Sequence, residues 1–405
     1  MRQHVHLRHV PQDTRHASDS LLVASQLRWQ GHTGVQAYAR WLTAGIAAEG
    51  WRAQLVTPFS GSKLWYPVFA VRPLLLQRIE PNWSTRWHRH WHYIAERQNL
   101  RHLLAHAEPA AVIAIDPLSA KAALEARAAT NSRVSVALAT CFTTSQAVEL
   151  RDQGELTDDR TARAIWDLER EVIEHVDVVI HNSEWQRESL EVTRGLHPKR
   201  SVVVWHGIPE VVETTQLERP ELGLGPYDVV LINVGSLEPR KNQLALLDLF
   251  AALRRGDARV KLLLVGDGPL RPAIESKIRR LDLTSRVKVL GAAPDVPALL
   301  NLSDLYVHYS KAESFGLVLL EAARASLPIA AVPVGGACEV QRELGGLPLP
   351  ADDAAGGAAV LRPLVTDKGL RAERGRHAHE RFRVMFTMRR MAQGHLAALE
   401  SRSSA

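Results

Sequence analysis

The stretch Glu313-Ser314-Phe315-Gly316-Leu317-Val318-Leu319-Leu320-Glu321 lies between two short apolar runs, residues 305–308 and 329–332. A short buried strand, a glycine turn, an amphipathic helix and another short strand form the repeating unit of a parallel sheet with right-handed crossovers. The helix is expected to start near Gly316, which puts Glu321 on its second turn and directs Leu317, Leu319 and Leu320 toward the sheet. Its first turn offers unpaired N–H groups and partial positive charge, which suit a phosphate. Glu313 and Glu321 then stand on either side, where carboxylates can bind hydroxyls of an attached sugar.

Outward from this stretch the alternation continues. In the second half, residues 229–234, 261–265 and 286–290 read as buried strands, and in the first half residues 21–25, 110–115, 134–138, 176–180 and 202–204 do so. Between the halves, residues 207–227 hold Pro209, Pro220 and Pro226 with Gly223 and Gly225, the composition of a linker. A chain of 405 residues is too long for one ordinary core. The expected class is α/β, with two doubly wound, Rossmann-like domains facing a cleft into which their strand ends open. The divisions are a polar leader at 1–19, a first domain at 20–207, a linker at 208–227, a second domain at 228–380 and a closing helix at 381–405. All ten tryptophans occur by Trp205, so the first domain is aromatic and the second plain.

Composition narrows the class further. With 46% hydrophobic and 23% charged residues the chain is neither fibrous nor disordered. Cys141 and Cys338 are too far apart in the chain to indicate a disulfide framework or a zinc site, and a reducing cytoplasm is expected. Arg2, His4, His6, Arg8 and His9 precede no apolar core of a signal peptide, and no run approaches the roughly 18 to 20 apolar residues of a membrane span. The net charge of +6 suits a phosphorylated ligand or an anionic membrane surface and does not argue for nucleic acid.

Three further turns bear on chemistry. Strand 229–234 runs into Gly235-Ser236-Leu237-Glu238-Pro239-Arg240-Lys241, where two cations can neutralise a diphosphate or simply face water. Gly266 and Gly268, at the next strand end, allow close approach of a ligand to the backbone or form a tight turn. Residues 291–296, with Asp295, can hold a planar base against exposed backbone, and Gly335-Gly336 form another strand-end turn.

This ordered series resembles the retaining GT-B glycosyltransferases of family four (group 1), closely over residues 228–345 and in outline over the first half. The resemblance implies that Lys241, helped by Arg240 and the amides near Ser314, Phe315, Gly316 and Leu317, binds the donor diphosphate. Glu313 then contacts the donor sugar, Glu321 the nucleotide ribose, and the 291–296 loop the base. Gly31-His32-Thr33-Gly34 becomes the first-domain glycine loop facing donor phosphates and acceptor. Ser236 replaces an arginine common in the family, with Arg240 supplying that charge. Ser326 replaces a small glycine. The family's reaction-centre histidine is absent from Ala139-Thr140-Cys141-Phe142, and His206 reads as structural.

The implied function is transfer of a sugar from a nucleotide-sugar donor to a glycan or lipid-linked acceptor, in cell-surface polysaccharide or lipopolysaccharide synthesis. No cofactor and no essential metal are expected, since cations and a helix end stabilise the departing diphosphate. A double displacement would need an enzymic nucleophile. The family instead implies attack on the donor's departing face. An inactive sugar-binding protein of the same fold is the alternative. A dinucleotide oxidoreductase would need Gly-x-Gly-x-x-Gly after the first strand, which Gly31 to Gly34 does not supply.

Trp83, Trp87 and Trp91, spaced four apart, fall on one helical face with Arg86, His88, Arg89 and His90 around them. Such a face either packs into the first domain or docks peripherally on anionic lipid.

Overall fold

A computed structural model describes residues 20–28, 31, 33–71, 80–254, 259–293 and 295–400 of the chain. The expected leader at 1–19, residues 72–79 of the aromatic and basic segment, His32 and Pro294 lie outside that set. Two six-stranded parallel sheets carry the fold. The first consists of β1 (Ser20–Ala24), β2 (Arg52–Val56), β3 (Ala111–Ala114), β4 (Ser135–Ala139), β5 (Val178–His181) and β6 (Ser201–Val203), in the order β2-β1-β3-β4-β5-β6. The second consists of β7 (Val229–Val234), β8 (Val260–Val265), β9 (Val287–Gly291), β10 (Leu305–His308), β11 (Ile329–Ala331) and β12 (Leu347–Pro348), in the order β12-β11-β10-β7-β8-β9.

Strands buried on both faces read as near-continuous apolar runs, and all six residues of β7 and all four of β3 are buried. β2 has no such run. Arg52-Ala53-Gln54-Leu55-Val56 is an edge strand in which only Val56 is buried, and polar residues on an edge discourage further pairing. β12 spans only two residues on the opposite sheet's edge.

Each sheet reverses its winding once. In the second sheet β8 and β9 extend from one side of β7 and β10 to β12 from the other, so the turns after β7 and β10 flank a switch point. Ligands of doubly wound sheets bind at such crevices. In the first sheet the corresponding point lies between β1 and β3.

The chain crosses between domains twice, side by side. Ile208 N–H donates to Phe386 O at 3.0 Å and Met388 N–H to Ile208 O at 2.9 Å. Gly207 is required there, because a Cβ would lie 2.1 Å from Thr387 O. The return crossing thus falls at residues 386–388, after the helix Lys368–Met385 and not at residue 381. The final helix, Met388–Glu400, packs on the first domain, where Met391, Ala392 and Leu396 join Tyr38, Leu42 and Ile46 in one core.

The tryptophan stripe lies on the helix Pro81–His106. Trp87 donates from Nε1 to Val68 O at 3.0 Å and Trp91 packs against Trp65, leaving only Trp83, 64% exposed, facing solvent. Arg86 pairs with Asp158 at 2.9 Å at the surface, and Arg89 donates to Gln146 Oε1 at 3.1 Å and reaches into the protein. Two of the three indoles thus pack onto neighbouring segments, the first of the two arrangements expected for this face. No helix among the described residues is long and apolar enough to cross a membrane.

Candidate active site

The turn after β7 tightens into one 3-10 turn, Pro239–Lys241, which Asn242 closes in the left-handed conformation. That turn throws Arg240 and Lys241 toward the loop after β10. Lys241 Nζ lies 2.5 Å from Glu313 Oε2, and Arg240 Nη1 lies 3.7 Å from Glu313 Oε1 and 3.3 Å from Ala312 O. Arg240 also pairs with Glu238 at 2.9 Å. Glu313 is 8% exposed. Burial alone would raise its pKa, but Lys241, His308 and Arg240 outweigh it and hold the carboxylate well below its usual range.

His308, the last residue of β10, sits behind the pair with Nε2 3.6 Å from Glu313 Oε2, beyond hydrogen-bond length. Burial lowers its pKa, so the ring is neutral. The sequence reading gave it no role, although a lone polar residue at the C-terminal end of an apolar strand points at the ligand crevice.

Gly316 has φ +85° and caps the helix Leu317–Arg324 without any side-chain hydrogen bond, so the first N–H groups of that helix remain available to an anion. Across the cleft, a Cβ on Gly34 would lie 3.4 Å from Leu317 Cδ1. Gly34 opens the helix Gly34–Ala48, capped by Thr33 with Gln36. Two helix N-termini therefore meet beside the Lys241–Glu313 pair. Phe315 is buried against His206, with ring centroids 4.8 Å apart. His206 also stacks on Tyr38, and burial pushes its pKa down to about 3, which makes it a neutral packing group.

At Gly266 and Gly268 the close neighbour is backbone. A Cβ on Gly266 would lie 2.0 Å from Gly235 O, and one on Gly268 2.5 Å from Leu237 O. These glycines let the β8 turn pack against the turn that carries Arg240 and Lys241. Gly335 and Gly336 brace the other half likewise, for their Cβ positions lie 2.0 Å from Glu313 O and 1.9 Å from Ser314 O.

Glu321 faces a cavity of about 220 Å³, lined also by Glu210, Val211, Thr214, Pro297 and Arg324. Burial raises its pKa to about 7, against the pull of Arg324. Asp295 accepts from Ala298 N–H at 2.9 Å and Thr215 N–H at 2.5 Å, so its carboxylate ties the linker over this cavity. That strap was not visible in the sequence. Among the described residues no group of three His, Cys, Asp or Glu side chains is placed to hold a metal ion.

Two doubly wound domains, with paired cations and carboxylates at the switch point of the second and a glycine loop of the first opposite, define the GT-B class of glycosyltransferase. Residues 215–381 match the family "Glycosyl transferases group 1" and residues 33–207 match "Glycosyl transferase 4-like domain". The chain belongs to the group 1 glycosyltransferases, a retaining family. It is 35% identical over 169 residues to the N-acetyl-alpha-D-glucosaminyl L-malate synthase of Bacillus anthracis, covering 42% of this chain and 44% of that protein. It is 28% identical over 233 residues to the D-inositol 3-phosphate glycosyltransferase of Jonesia denitrificans, covering 52% and 55%. The matches thus span about half the length of these curated relatives. Anabaena HepE in complex with UDP superposes with a TM-score of 0.69 at 19% identity, over 95% of this chain and 100% of that one, which establishes the shared fold.

Proposed function

We propose that the protein transfers a hexose, with retention, from a nucleoside diphosphate sugar to a hydroxyl of an acceptor seated in the first domain. The observation that carries this reading is the Lys241–Glu313 pair with Arg240 beside it, at a switch point and next to an uncapped helix N-terminus. The diphosphate is held by Lys241, Arg240 and the amides at Gly316 and Leu317, the sugar hydroxyls by Glu313 and the ribose by Glu321. UDP in HepE and the sugar transfers named for the curated relatives support such a donor.

Charge develops on the leaving phosphate as the C1–O bond breaks, and fixed cations and N–H dipoles stabilise it without reorganising. The acceptor oxygen bonds to C1 from the departing face, and its proton passes to a phosphate oxygen. Cys141 is no candidate nucleophile for a double displacement, because burial holds its pKa well up. Arg240 and Lys241 supply the charge that a metal supplies elsewhere, and chelation with EDTA is expected to leave transfer unchanged.

The alternative is a binding protein of this fold without turnover. Donor turnover decides between them. Glu313→Ala and Lys241→Ala are each expected to lower it about 10²- to 10³-fold with folding intact. No turnover by the wild type with UDP-, GDP- or ADP-sugars, or full turnover by both variants, overturns the reading.

A further inference from the structure

A second cavity, of about 200 Å³, lies at the switch point of the first sheet. Gln26 follows β1, Asp116 follows β3 and Cys141 follows β4, while Arg89, Gln146 and Glu149 close its far side. Glu149 links it to the donor clamp, since its carboxyl feels the charges of Arg240 and Glu313.

Asp116 and Glu149, two of the acidic residues lining the cavity, are supplied with donors. Asp116 accepts from Gln26 N–H at 3.0 Å, Ser119 N–H at 2.9 Å and Ser119 Oγ at 2.7 Å. Glu149 accepts from Thr143 N–H at 2.8 Å and Thr143 Oγ1 at 3.1 Å. Glu169, behind Gln146, is paired with Arg194 at 2.8 Å and accepts from Ser145 and Gln146.

Arg89 is the exception. Its guanidinium carries five N–H donors, yet among the described residues its hydrogen bond is a single one, from Nη1 to the neutral amide of Gln146. No carboxylate among the described residues lies within 4.0 Å of it, whereas the similarly half-buried Arg127, Arg194 and Arg240 each hold one. Burial draws its pKa down to about 10 against the pull of Asp116 and Glu169, which leaves it charged at neutral pH. A half-buried guanidinium with Nε and Nη2 unoccupied presents the two-point edge that carboxylates and phosphates take.

We propose that this cavity is the acceptor subsite and that Arg89 binds an anionic group of the acceptor, a carboxylate or a phosphate monoester, placing a hydroxyl of the same molecule beside Glu149 toward the donor. This deepens the glycosyltransferase reading and rests on it. The anionic group is unchanged by the reaction, in which only the acceptor hydroxyl loses its proton. Asp116 and Glu149 tolerate the anion because N–H and O–H donors already occupy them, and burial raises the pKa of both. A cavity this small admits a small hydroxylated molecule or one terminal group of a larger one.

Calorimetry tests it in two stages on the full chain. UDP, GDP and ADP are first titrated into the wild type, and binding by none of them sinks the donor reading itself. The nucleotide that binds is then kept saturating, which blocks the donor phosphate site, and L-malate, glycerol 3-phosphate and glycerol are titrated. At least one anion is expected to bind where glycerol does not, the malate and glycerol phosphate arms separating carboxylate from phosphate. Arg89→Gln is expected to weaken that binding at least about tenfold and Arg89→Lys less, with the melting temperature unmoved. Failure of both anions to bind the wild type, glycerol binding as well as they do, or undiminished anion binding by Arg89→Gln overturns the proposal. Should Arg89→Gln not fold, Arg89→Lys and the wild-type titrations still decide it.

Discussion

Lys241 and Glu313 show how one contact serves both chemistry and stability. Each side chain is about a tenth exposed, at 12% and 10%, so neither charge is well hydrated. Removing one partner strands the other. Lys241→Ala is therefore expected to destabilise the protein by about 3 kcal/mol, and Lys241→Ala/Glu313→Gln to recover much of that loss, as chemical denaturation would measure. A double variant no more stable than Lys241→Ala would contradict it. Glu321 behaves in the opposite sense. With a folded pKa of about 7 it holds a proton that the unfolded chain, near the ordinary 4.5, has released. Its contribution to stability is thus present at low pH and falls as pH rises from 4.5 to 7. Ribose hydroxyls donating to this carboxylate favour its ionised form. Affinity for the nucleotide should therefore rise with pH up to about 7, by at most about tenfold per unit, and Glu321→Gln should flatten the profile. Arg240, Lys241 and Glu313 were legible in the sequence because each lies within seven residues of a strand end, and Glu321 because it falls on the helix that follows. His308 was passed over although its neighbour Glu313 is only five residues away, whereas Arg89 was read with the tryptophan face because its partner Gln146 comes from a distant part of the chain.

Elements were legible where burial was two-sided. β7 and β10 announce themselves as apolar runs, whereas β2, polar and at an edge, and the two-residue β12 do not. The tryptophan helix was legible as a helix, but spacing cannot say what covers its face. The covered end is expected to matter for stability and the exposed end not. Trp87→Ala should cost about 2 kcal/mol and Trp83→Ala within about 0.5, by chemical denaturation. Trp83 is the exposed indole of the face, and co-sedimentation with anionic vesicles that Trp83→Ala leaves unchanged removes a lipid-binding role for it. Turns read ambiguously for a physical reason. Glycine suits a close ligand and a close backbone equally, and at Gly266, Gly268 and Gly335 the neighbour is backbone. Gly335 has φ +54° and no room beside Glu313 O. Gly335→Ala is expected to shift Glu313 and weaken donor binding about tenfold, about 1.4 kcal/mol, while Gly50→Ala, at a positive φ in open space, should leave it alone.

At the scale of the whole molecule, the two domains are joined by more than their paired crossings. Glu339, on the helix Ala337–Glu343, accepts from Glu184 N–H at 3.1 Å and Trp185 N–H at 2.7 Å, thereby capping a helix of the first domain from the second. Ser183 Oγ donates to Ser314 O at 3.4 Å beside it. These contacts fix the distance between the donor clamp and the Arg89 cavity. Glu339→Ala is expected to enlarge the radius of gyration of the nucleotide-bound protein in solution scattering and to slow transfer about tenfold, with nucleotide affinity little changed. An unchanged radius and rate would show that the cap does not hold the domains together. The central claim, that the Arg240, Lys241 and Glu313 cluster clamps a nucleoside diphosphate sugar, is tested most directly by titrating UDP, GDP and ADP into the wild type and an Arg240→Ala/Lys241→Ala variant. One nucleotide should bind the wild type and bind the variant at least about 100-fold more weakly, about 2.7 kcal/mol. Equal binding to both proteins, or no binding to either, would contradict it.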